Sequence, residues 1–146
     1  IRRVMPPVSG RFTLTHNAIQ RATTNLGHHQ PLQGLTGAVH GAAWCRLDGS
    51  IMRVCEDVGR HNALDKLIGS LWGENCLQGP GFLLMSSRAS YEIVQKAAKA
   101  GIAVVATLSA PTSMAIDLAA AAGMTLIGFA RESRHLAYCH AHRLTD

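Results

Sequence analysis

The stretch FLLMSSRASYEIVQKAAKAGIAVVATLSAPTSMAIDLAAAAGMTLIGF, residues 82–129, decides the fold of this chain. Three of its segments have the apolar, partly β-branched character of buried strands, at 82–85, 102–108 and 125–129. Amphipathic helices are predicted between them, at 91–100 and 114–122, and each is followed by a glycine that typically ends a helix. Alternating strands and helices build a parallel sheet through right-handed crossovers, with helices on its faces. We therefore expect an α/β fold.

The residues before this stretch predict a hairpin and two further helices. Asp48-Gly49 is a strong signal for a hairpin turn between strands at 42–47 and 50–55. Helical spacing of apolar residues predicts a first helix at 15–29 and a second that starts near residue 62. The apolar face of the second helix consists of Ala63, Leu64, Leu67, Ile68 and Leu71.

Polar loops follow the carboxyl ends of the predicted strands, at 56–62, 86–90, 109–113 and 128–134. In open α/β sheets, ligands bind in the crevice outside the carboxyl ends of the strands. If these strands run parallel, one rim collects side chains able to bind an anion: Arg60, His61, Ser86, Ser87, Arg88, Thr112, Arg131 and Arg134. The amino termini of the helices beneath them add backbone N–H donors and partial positive charge. The sequence therefore predicts a site for an anionic ligand, with phosphates as the first candidate.

The run Glu56-Asp-Val-Gly-Arg-His-Asn-Ala-Leu-Asp-Lys66 carries more polar groups than a turn before a helix requires. One glycine and one capping side chain would suffice, whereas this run places two acids, an Arg, a His and an Asn around one Gly. Simple capping, with Arg60 paired to Glu56 or Asp57, explains at most two of these residues. We favour a binding or catalytic loop at the amino end of the following helix.

Three other features have competing interpretations. Ser86-Ser87-Arg88 is typical of a phosphate grip before a helix, or of ordinary N-capping with a surface ion pair. His40 is either a satisfied core histidine or part of the site. His140 and His142 would point the same way from a strand, but the sequence lacks further ligands at metal-site spacing, so no metal is expected.

Composition limits the classes of function. The 146 residues predict a single domain, with 47% hydrophobic residues and a net charge of +5. The charge suggests anionic partners, but the dense Lys/Arg clusters of a nucleic-acid binder are missing, so no nucleic acid is expected. The sequence has no apolar run near the ~18–20 residues of a membrane span, and no signal-peptide pattern, so we expect a cytoplasmic protein without a membrane partner. Signatures of Rossmann cofactors, P-loops and nucleophile elbows are also missing from the sequence.

Several motifs together resemble the FdhD family, the formate dehydrogenase accessory proteins that act as sulfurtransferases. The matching motifs are Leu-Thr-Gly-Ala-Val-His at 35–40, the polar run at 56–66, Ser-Ser-Arg-Ala-Ser-Tyr-Glu at 86–92, Gln-Lys at 95–96, Ala-Pro-Thr at 110–112, Leu-Ile-Gly-Phe at 126–129, and residues from 138 through 140 to 143–144. They follow the family order and cover nearly the whole chain.

The resemblance implies a three-layer α/β/α sandwich with a mostly parallel mixed sheet, similar to the cytidine deaminase fold, in a homodimer. It also implies that sulfur passes from a cysteine desulfurase to the Mo-bis(molybdopterin guanine dinucleotide) cofactor (with tungsten as the alternative metal), which then enters formate dehydrogenase. GDP is the expected mimic of the guanine ends of that cofactor. The family's binding segment after the last core strand corresponds here to Phe129, Ala130, Arg131, Glu132, Ser133 and Arg134. The other expected cofactor-binding residues are His40, Arg60, His61, Ser86, Ser87, Arg88 and Thr112.

The cysteines depart from the family pattern. The sulfur-carrying cysteine of the family belongs to a Cys-x-x-Cys loop upstream of the matched region, and the sequence contains no such pair. We expect that cysteine to precede Ile1, and none of the cysteines at 45, 55, 76 and 139 to be catalytic. The zinc signature of deaminases is also absent from the sequence, which argues against deaminase chemistry. A non-catalytic chaperone domain that holds the cofactor while another protein does the chemistry is the alternative function.

Overall fold

The computed structural model describes residues 8, 10–26, 28, 39–74, 76–77, 79–131 and 134–145. Its strands are β1 (Leu14–Thr15), β2 (His40–Cys45), β3 (Ile51–Asp57), β4 (Phe82–Met85), β5 (Val104–Thr107), β6 (Thr125–Arg131), β7 (Arg134–Cys139) and β8 (Leu144–Thr145). Its α-helices are α1 (His16–Leu26), α2 (Arg60–Leu71), α3 (Tyr91–Lys99) and α4 (Ser113–Ala121), and short 3-10 helices cover Trp72–Glu74 and Ala141–Arg143.

Six strands form one mixed sheet in the order β3-β2-β4-β5-β6-β7. β4, β5 and β6 are parallel to one another, whereas β2 is antiparallel to both of its neighbours, β3 and β4. Because β2 reverses the direction between them, β3 runs the same way as β4, and the carboxyl ends of β3, β4, β5 and β6 lie at one edge of the sheet. β7 pairs with β6 in the antiparallel sense. β1 and β8 form a separate parallel pair.

Helices cover both faces of the sheet. Successive side chains of a strand point to opposite faces, so Leu83 packs with α2, α3 and α4, while Leu84 packs with Ile19 and Leu26 of α1. All four of these side chains are almost completely buried, and each such burial contributes about 1.5–3 kcal/mol to folding. The expected three-layer α/β/α sandwich is confirmed.

The helices α3 and α4 begin and end in the same way. At their amino ends, the hydroxyls of Ser90 and Thr112 accept a backbone N–H from the first turn. At their carboxyl ends, Gly101 and Gly123 have φ of 82° and 71°, the left-handed conformation that glycine adopts at the lowest cost. The carboxyl ends agree with the sequence prediction, since these two glycines were expected to stop the helices.

Most predicted elements are confirmed, with bounds that differ by one to three residues. The carboxyl-terminal segment differs more. Segment 128–134 was expected to be a loop, but β6 continues to Arg131 and β7 begins at Arg134. The prediction that His140 and His142 point the same way from a strand is wrong, because His140 lies after β7 with φ 49° and His142 belongs to a 3-10 helix.

None of the helices in the described part of the chain is both long enough and apolar enough to span a membrane.

Arg143 joins three segments at the edge of the sheet where β5 and β6 begin. Its guanidinium donates to the carbonyl oxygens of Gly10 at 2.9 Å and Gly123 at 2.7 Å, and to the hydroxyl of Thr125 at 3.1 Å. The residue is 4% exposed, and burial lowers the pKa of its guanidinium. A charged donor that pairs with several buried acceptors contributes more to the free energy of folding than an exposed arginine does, because these acceptors would otherwise lack a partner.

The change Arg143→Met is expected to lower the free energy of unfolding by about 3 kcal/mol, because the buried acceptors lose their donor while the apolar stem is kept. Urea denaturation measures this loss. Arg11→Met is the matched control, since Arg11 is exposed on the same amino-terminal segment, and it should change stability by less than about 0.5 kcal/mol. Equal effects of the two variants would contradict a structural role for the buried guanidinium.

Candidate functional site

The carboxyl ends of β3, β4, β5 and β6 line one edge of the sheet, together with the amino end of the antiparallel strand β2. His40 at the start of β2 is paired with Asp57 at the end of β3, and Ala42 is paired with Met85 at the end of β4. We call this edge the rim and define it as residues 40–41, 56–62, 86–90, 108–113 and 129–134, of which 132–133 lie outside the described residues. The predicted arrangement of the strand ends is therefore present, and β2 adds His40 to it.

Three helices begin at the rim, because α2, α3 and α4 each follow a strand that ends there. Their amino ends bring backbone N–H groups and partial positive charge to one side of the sheet. Ser90 and Thr112 cap α3 and α4. The N-cap of α2 is Gly59, which makes no side-chain capping hydrogen bond. Of these three helices, α2 therefore presents the most open amino end.

Asp57 holds the turn that leads into α2. Its carboxylate accepts the N–H of Gly59 at 3.0 Å and the side-chain amide of Asn62 at 3.4 Å. The Lys66 ammonium lies 2.7 Å from the same carboxylate and also donates to the carbonyl of Glu56 at 3.1 Å. These hydrogen bonds, with Lys66 first, lower the pKa of Asp57 to about 2. Asp57 and Asn62 of the 56–66 run thus serve mainly to fix the backbone of this turn.

Arg60 is the first residue of α2 and is half-buried. Its Nε is buried and has no hydrogen-bond partner among the described residues. Buried donors of this kind are normally paired, and an arginine donor is always charged. The ion pair of Arg60 with Glu56 or Asp57, considered in the capping interpretation, is not among the ion pairs of the described residues. His61 is half-buried in the same first turn.

Ser86 and Ser87 are engaged by the protein itself, while Arg88 is exposed. The Ser86 hydroxyl accepts the N–H of Gly41 at 2.7 Å, and the backbone N–H of Ser86 donates to the carbonyl of Gly41 at 3.0 Å. The buried Ser87 hydroxyl donates to the carbonyl of Arg88 at 3.2 Å. The N-cap of α3 is Ser90 rather than either of these serines. Ser86 therefore connects β4 to β2 at the rim, and the exposed Arg88 guanidinium is left to face solvent.

The loop between β5 and α4 is packed closely against β6. A Cβ atom on Gly128 would lie 2.8 Å from Cδ of Pro111 and 2.7 Å from the Tyr138 ring of β7. The hydroxyl of Thr107 donates to the carbonyl of Ser109 at 2.7 Å and shapes the start of the same loop. Because Gly128 has no side chain, the loop can lie directly against β6. This packing positions Thr112 at the rim.

The expected binding segment 129–134 forms the end of β6 and the start of β7. Ala130 is 1% exposed and packs in the core on the α1 side, so its side chain is part of the core. Arg131 is paired with Arg134 in the antiparallel register of the hairpin. Glu132 and Ser133 lie outside the described residues. The backbone of the hairpin therefore stands at the rim beside the loop after β5.

All four cysteines are unpaired. Cys45 is buried, and desolvation raises the pKa of its thiol. Cys139 donates to the carbonyl of Met124 at 3.2 Å, and burial also raises its pKa. High thiol pKa values disfavour the thiolate that acts as nucleophile. Among the described residues there is also no group of three or more His, Cys, Asp or Glu side chains that could hold a metal ion.

Two contacts that build the rim were not predicted from the sequence, namely the Asp57–Gly59 turn and the Ser86–Gly41 hydrogen bonds. Asp57 was considered only as a partner of Arg60, although an Asp two residues before a Gly is a typical Asx turn and the Gly59 N–H bond is of that kind. The Ser86–Gly41 contact joins residues 45 positions apart, and no local pattern indicates such a contact.

An α/β/α domain with a rim of cationic and polar residues at the carboxyl edge of its sheet is the class that the fold and the site define. The particular family follows from comparison with known proteins: the family model described as FdhD/NarQ matches residues 2–145. The chain belongs to the FdhD/NarQ family.

Curated relatives carry the name sulfur carrier protein FdhD. The protein from Burkholderia cenocepacia is 54% identical over 125 residues, which are 86% of this chain and 45% of that protein. The protein from Xanthomonas euvesicatoria is 47% identical over 144 residues, which are 99% of this chain and 51% of that protein. The chain thus spans about half the length of the curated relatives it matches.

A crystal structure described as a formate dehydrogenase accessory protein from Desulfotalea psychrophila has the same fold. Its TM-score to this chain is 0.87 at 28% sequence identity, and the match covers 99% of this chain and 61% of that one.

The change Asp57→Asn should make the free energy of unfolding less dependent on pH in the acidic range. Because the pKa of Asp57 falls from 3.8 to about 2 on folding, the native carboxylate stabilises the protein fully above its ordinary pKa, and this is lost as pH falls through about 2. Urea midpoints should therefore be lower for the variant than for wild type at neutral pH and should converge near pH 2. Asp117→Asn, at an exposed position of α4, is the control. A constant gap at all pH values would show that the charge of Asp57 is not what stabilises the turn.

The change Gly128→Ala should destabilise the protein by about 1–3 kcal/mol, because the new methyl group overlaps Pro111 and Tyr138. Thermal or urea unfolding measures the loss. Gly69→Ala is the matched control, since nothing lies within 4 Å of a Cβ at that position of α2, and it should stabilise the helix by roughly 0.5–1 kcal/mol. Equal or greater stability of the Gly128 variant would contradict the close packing of the loop on β6.

Proposed function

We propose that this chain is the cofactor-binding part of a sulfur carrier that serves formate dehydrogenase maturation, and that its rim binds the Mo-bis(molybdopterin guanine dinucleotide) cofactor as substrate. Two findings support the sulfur carrier role: the name of the curated relatives and the description of the related crystal structure as a formate dehydrogenase accessory protein. The shared fold extends over nearly the whole chain.

The observation that carries the proposal is the cationic residue Arg60 at the start of α2, whose buried Nε has no partner among the described residues. The helix that begins with this residue also lacks a side-chain cap. Both features fit an anionic acceptor from outside the chain, because a phosphate accepts hydrogen bonds from helix N–H groups and from guanidinium at the same time. A dinucleotide cofactor carries the phosphates that this position suits.

The remaining rim residues suit the other parts of such a ligand. The exposed Arg88 and the residues Arg131 and Arg134 of the hairpin supply further positive charge along the same edge. Thr112 after β5, His40 at the start of β2 and His61 after β3 offer hydrogen-bonding groups along the same edge. In this proposal the hairpin 129–134 contributes mainly its backbone and its arginines, because Ala130 is directed into the core.

In this proposal the sulfur step uses a cysteine outside this chain, because none of the four cysteines at 45, 55, 76 and 139 belongs to a Cys-x-x-Cys pair. The Cys45 thiol is buried and the Cys139 thiol is held by a carbonyl, and both have raised pKa values. A persulfide cysteine in a Cys-x-x-Cys segment of the full-length protein would accept sulfur from a cysteine desulfurase and pass it to the cofactor bound at the rim. We further propose that the protein acts as a homodimer in the cytoplasm, with formate dehydrogenase as the recipient of the sulfurated cofactor.

Calorimetric titration with GDP tests the rim. GDP should bind, ADP should bind more weakly, and Arg60→Ala should raise the dissociation constant for GDP at least roughly tenfold, since a charge-assisted phosphate contact is worth about 1.5–3 kcal/mol. The double variant Arg131→Ala/Arg134→Ala should weaken binding further.

Arg46→Ala is the matched control, because Arg46 is exposed at the turn between β2 and β3, at the opposite edge of the sheet. An equal loss of GDP affinity in the Arg46 and Arg60 variants would mean that GDP binding depends only on the net charge of the protein. Unchanged binding in the Arg60 and double variants would place the nucleotide elsewhere.

A second measurement separates the sulfur carrier from the alternative, a non-catalytic chaperone for the cofactor. The full-length natural protein is incubated with a cysteine desulfurase and cysteine, and its persulfide is mapped by mass spectrometry. Persulfide on a Cys-x-x-Cys segment supports sulfur transfer, whereas GDP binding without any persulfide favours the chaperone function.

A further inference from the structure

His16 and His135 form a histidine pair between α1 and β7. Nδ1 of His16 lies 2.5 Å from Nε2 of His135. The ring centres are 4.7 Å apart and the ring planes differ by 20°. The distance between the ring centres is close to the sum of the N···N distance and the two centre-to-nitrogen distances. The two nitrogens therefore lie on the line that joins the ring centres, and the rings are nearly coplanar. This is the geometry of an N–H···N hydrogen bond, and two N–H groups cannot face each other at that distance.

The pair has a fixed capacity for protons. One proton lies between the rings, and each ring has one further nitrogen, which is Nε2 of His16 and Nδ1 of His135. In the neutral pair, one of these two outer nitrogens is protonated. When the pair takes up one more proton and the hydrogen bond stays intact, both outer nitrogens must carry hydrogen. The extra proton of the intact pair therefore requires an N–H group at Nδ1 of His135.

Nδ1 of His135 is an unfavourable position for a proton. Nδ1 of His135 is buried and has no hydrogen-bond partner among the described residues, and a buried donor without an acceptor costs about 1–3 kcal/mol. Neither ring forms an ion pair with a carboxylate of the described residues. Arg131 and Arg134 precede His135 on the same hairpin, and Arg21 of α1 is engaged with Asp48. Among the described residues, no ion pair therefore supplies a negative charge to this histidine pair.

We propose that the His16–His135 pair is a proton-sensitive clasp, closed when both rings are neutral and opened by protonation. Opening separates the first residue of α1 from the second residue of β7, an edge strand that pairs with β6 on one side only. The β7 strand of the hairpin then loses this contact with α1, whereas the packing of β6 on α1 remains. Burial and the neighbouring His16 lower the pKa of His135 from 6.5, so the folded state takes up this proton less readily than the unfolded chain. The stabilisation is complete above that ordinary pKa and is lost as pH falls below it.

Two measurements on the unliganded protein test the clasp. Nitrogen-15 spectra of the histidine rings should show His135 neutral at about pH 6.5, in a pair that shares one proton. Hydrogen exchange of the β7 amides should accelerate at least roughly tenfold, after correction for the intrinsic pH dependence, between about pH 7.5 and pH 5. Exchange in the central strands β4 and β5 should change much less.

His135→Phe keeps a buried ring but removes both nitrogens, and its β7 exchange should lose the acid dependence. His28→Gln is the control, because it removes one exposed histidine outside the pair and should retain the acid dependence. If His135→Phe does not fold, His16→Gln, which still offers an acceptor to Nε2 of His135, should shift the opening to lower pH. The proposal is overturned if His135 in the wild type becomes doubly protonated near pH 6.5 with unchanged protection of β7, or if these variants keep the wild-type acid response.

Discussion

The position of β2 between β3 and β4 is the constraint on which the rest of the site depends. A strand that is antiparallel to both neighbours makes those neighbours parallel to each other. Without it, β3 would not share its direction with β4, and α2 would not begin at the edge where α3 and α4 begin. The exchange of hydrogen bonds between Ser86 and Gly41 extends this pairing past the end of β4. Three helix amino ends converge on one edge as a result.

The 56–66 run shows how polar residues can prepare a site without touching a ligand. Asp57 binds a backbone N–H, an amide and an ammonium group, so its charge is balanced within the protein. The same bonds fix the turn at Gly59, and because this glycine is the N-cap, the helix has no side-chain cap. Arg60 is then the cationic group whose Nε remains unsatisfied within the described residues. Two adjacent parts of one motif thus differ, because Asp57 has a structural task and Arg60 is the residue that we propose to bind an anion.

Much of the fold could be predicted from sequence, because its signals are local. Apolar periodicity located α3 and α4, and the glycines at 101 and 123 marked their ends, since a left-handed residue is needed there. The rim followed from the rule that parallel strands present their carboxyl ends together. The hairpin of β6 and β7 could not be predicted in this way, because its pairing depends on contacts across the sheet and its sequence is polar. The same holds for the contacts of Ser86 with Gly41 and of Arg143 with Gly10, which join residues 45 and 133 positions apart.

The closure of the chain by its carboxyl-terminal residues has a consequence for the order in which the protein folds. Leu14 and Thr15 find their strand partners only at Leu144 and Thr145, and the carbonyl of Gly10 finds its donor only at Arg143. During synthesis, the central strands and helices are complete long before these partners leave the ribosome. The amino-terminal residues therefore wait unpaired while the sheet assembles, and this long-range closure is a late and slow step of folding. A chaperone that shields exposed backbone would find its binding segment there, in residues that are made before the sheet and paired after it.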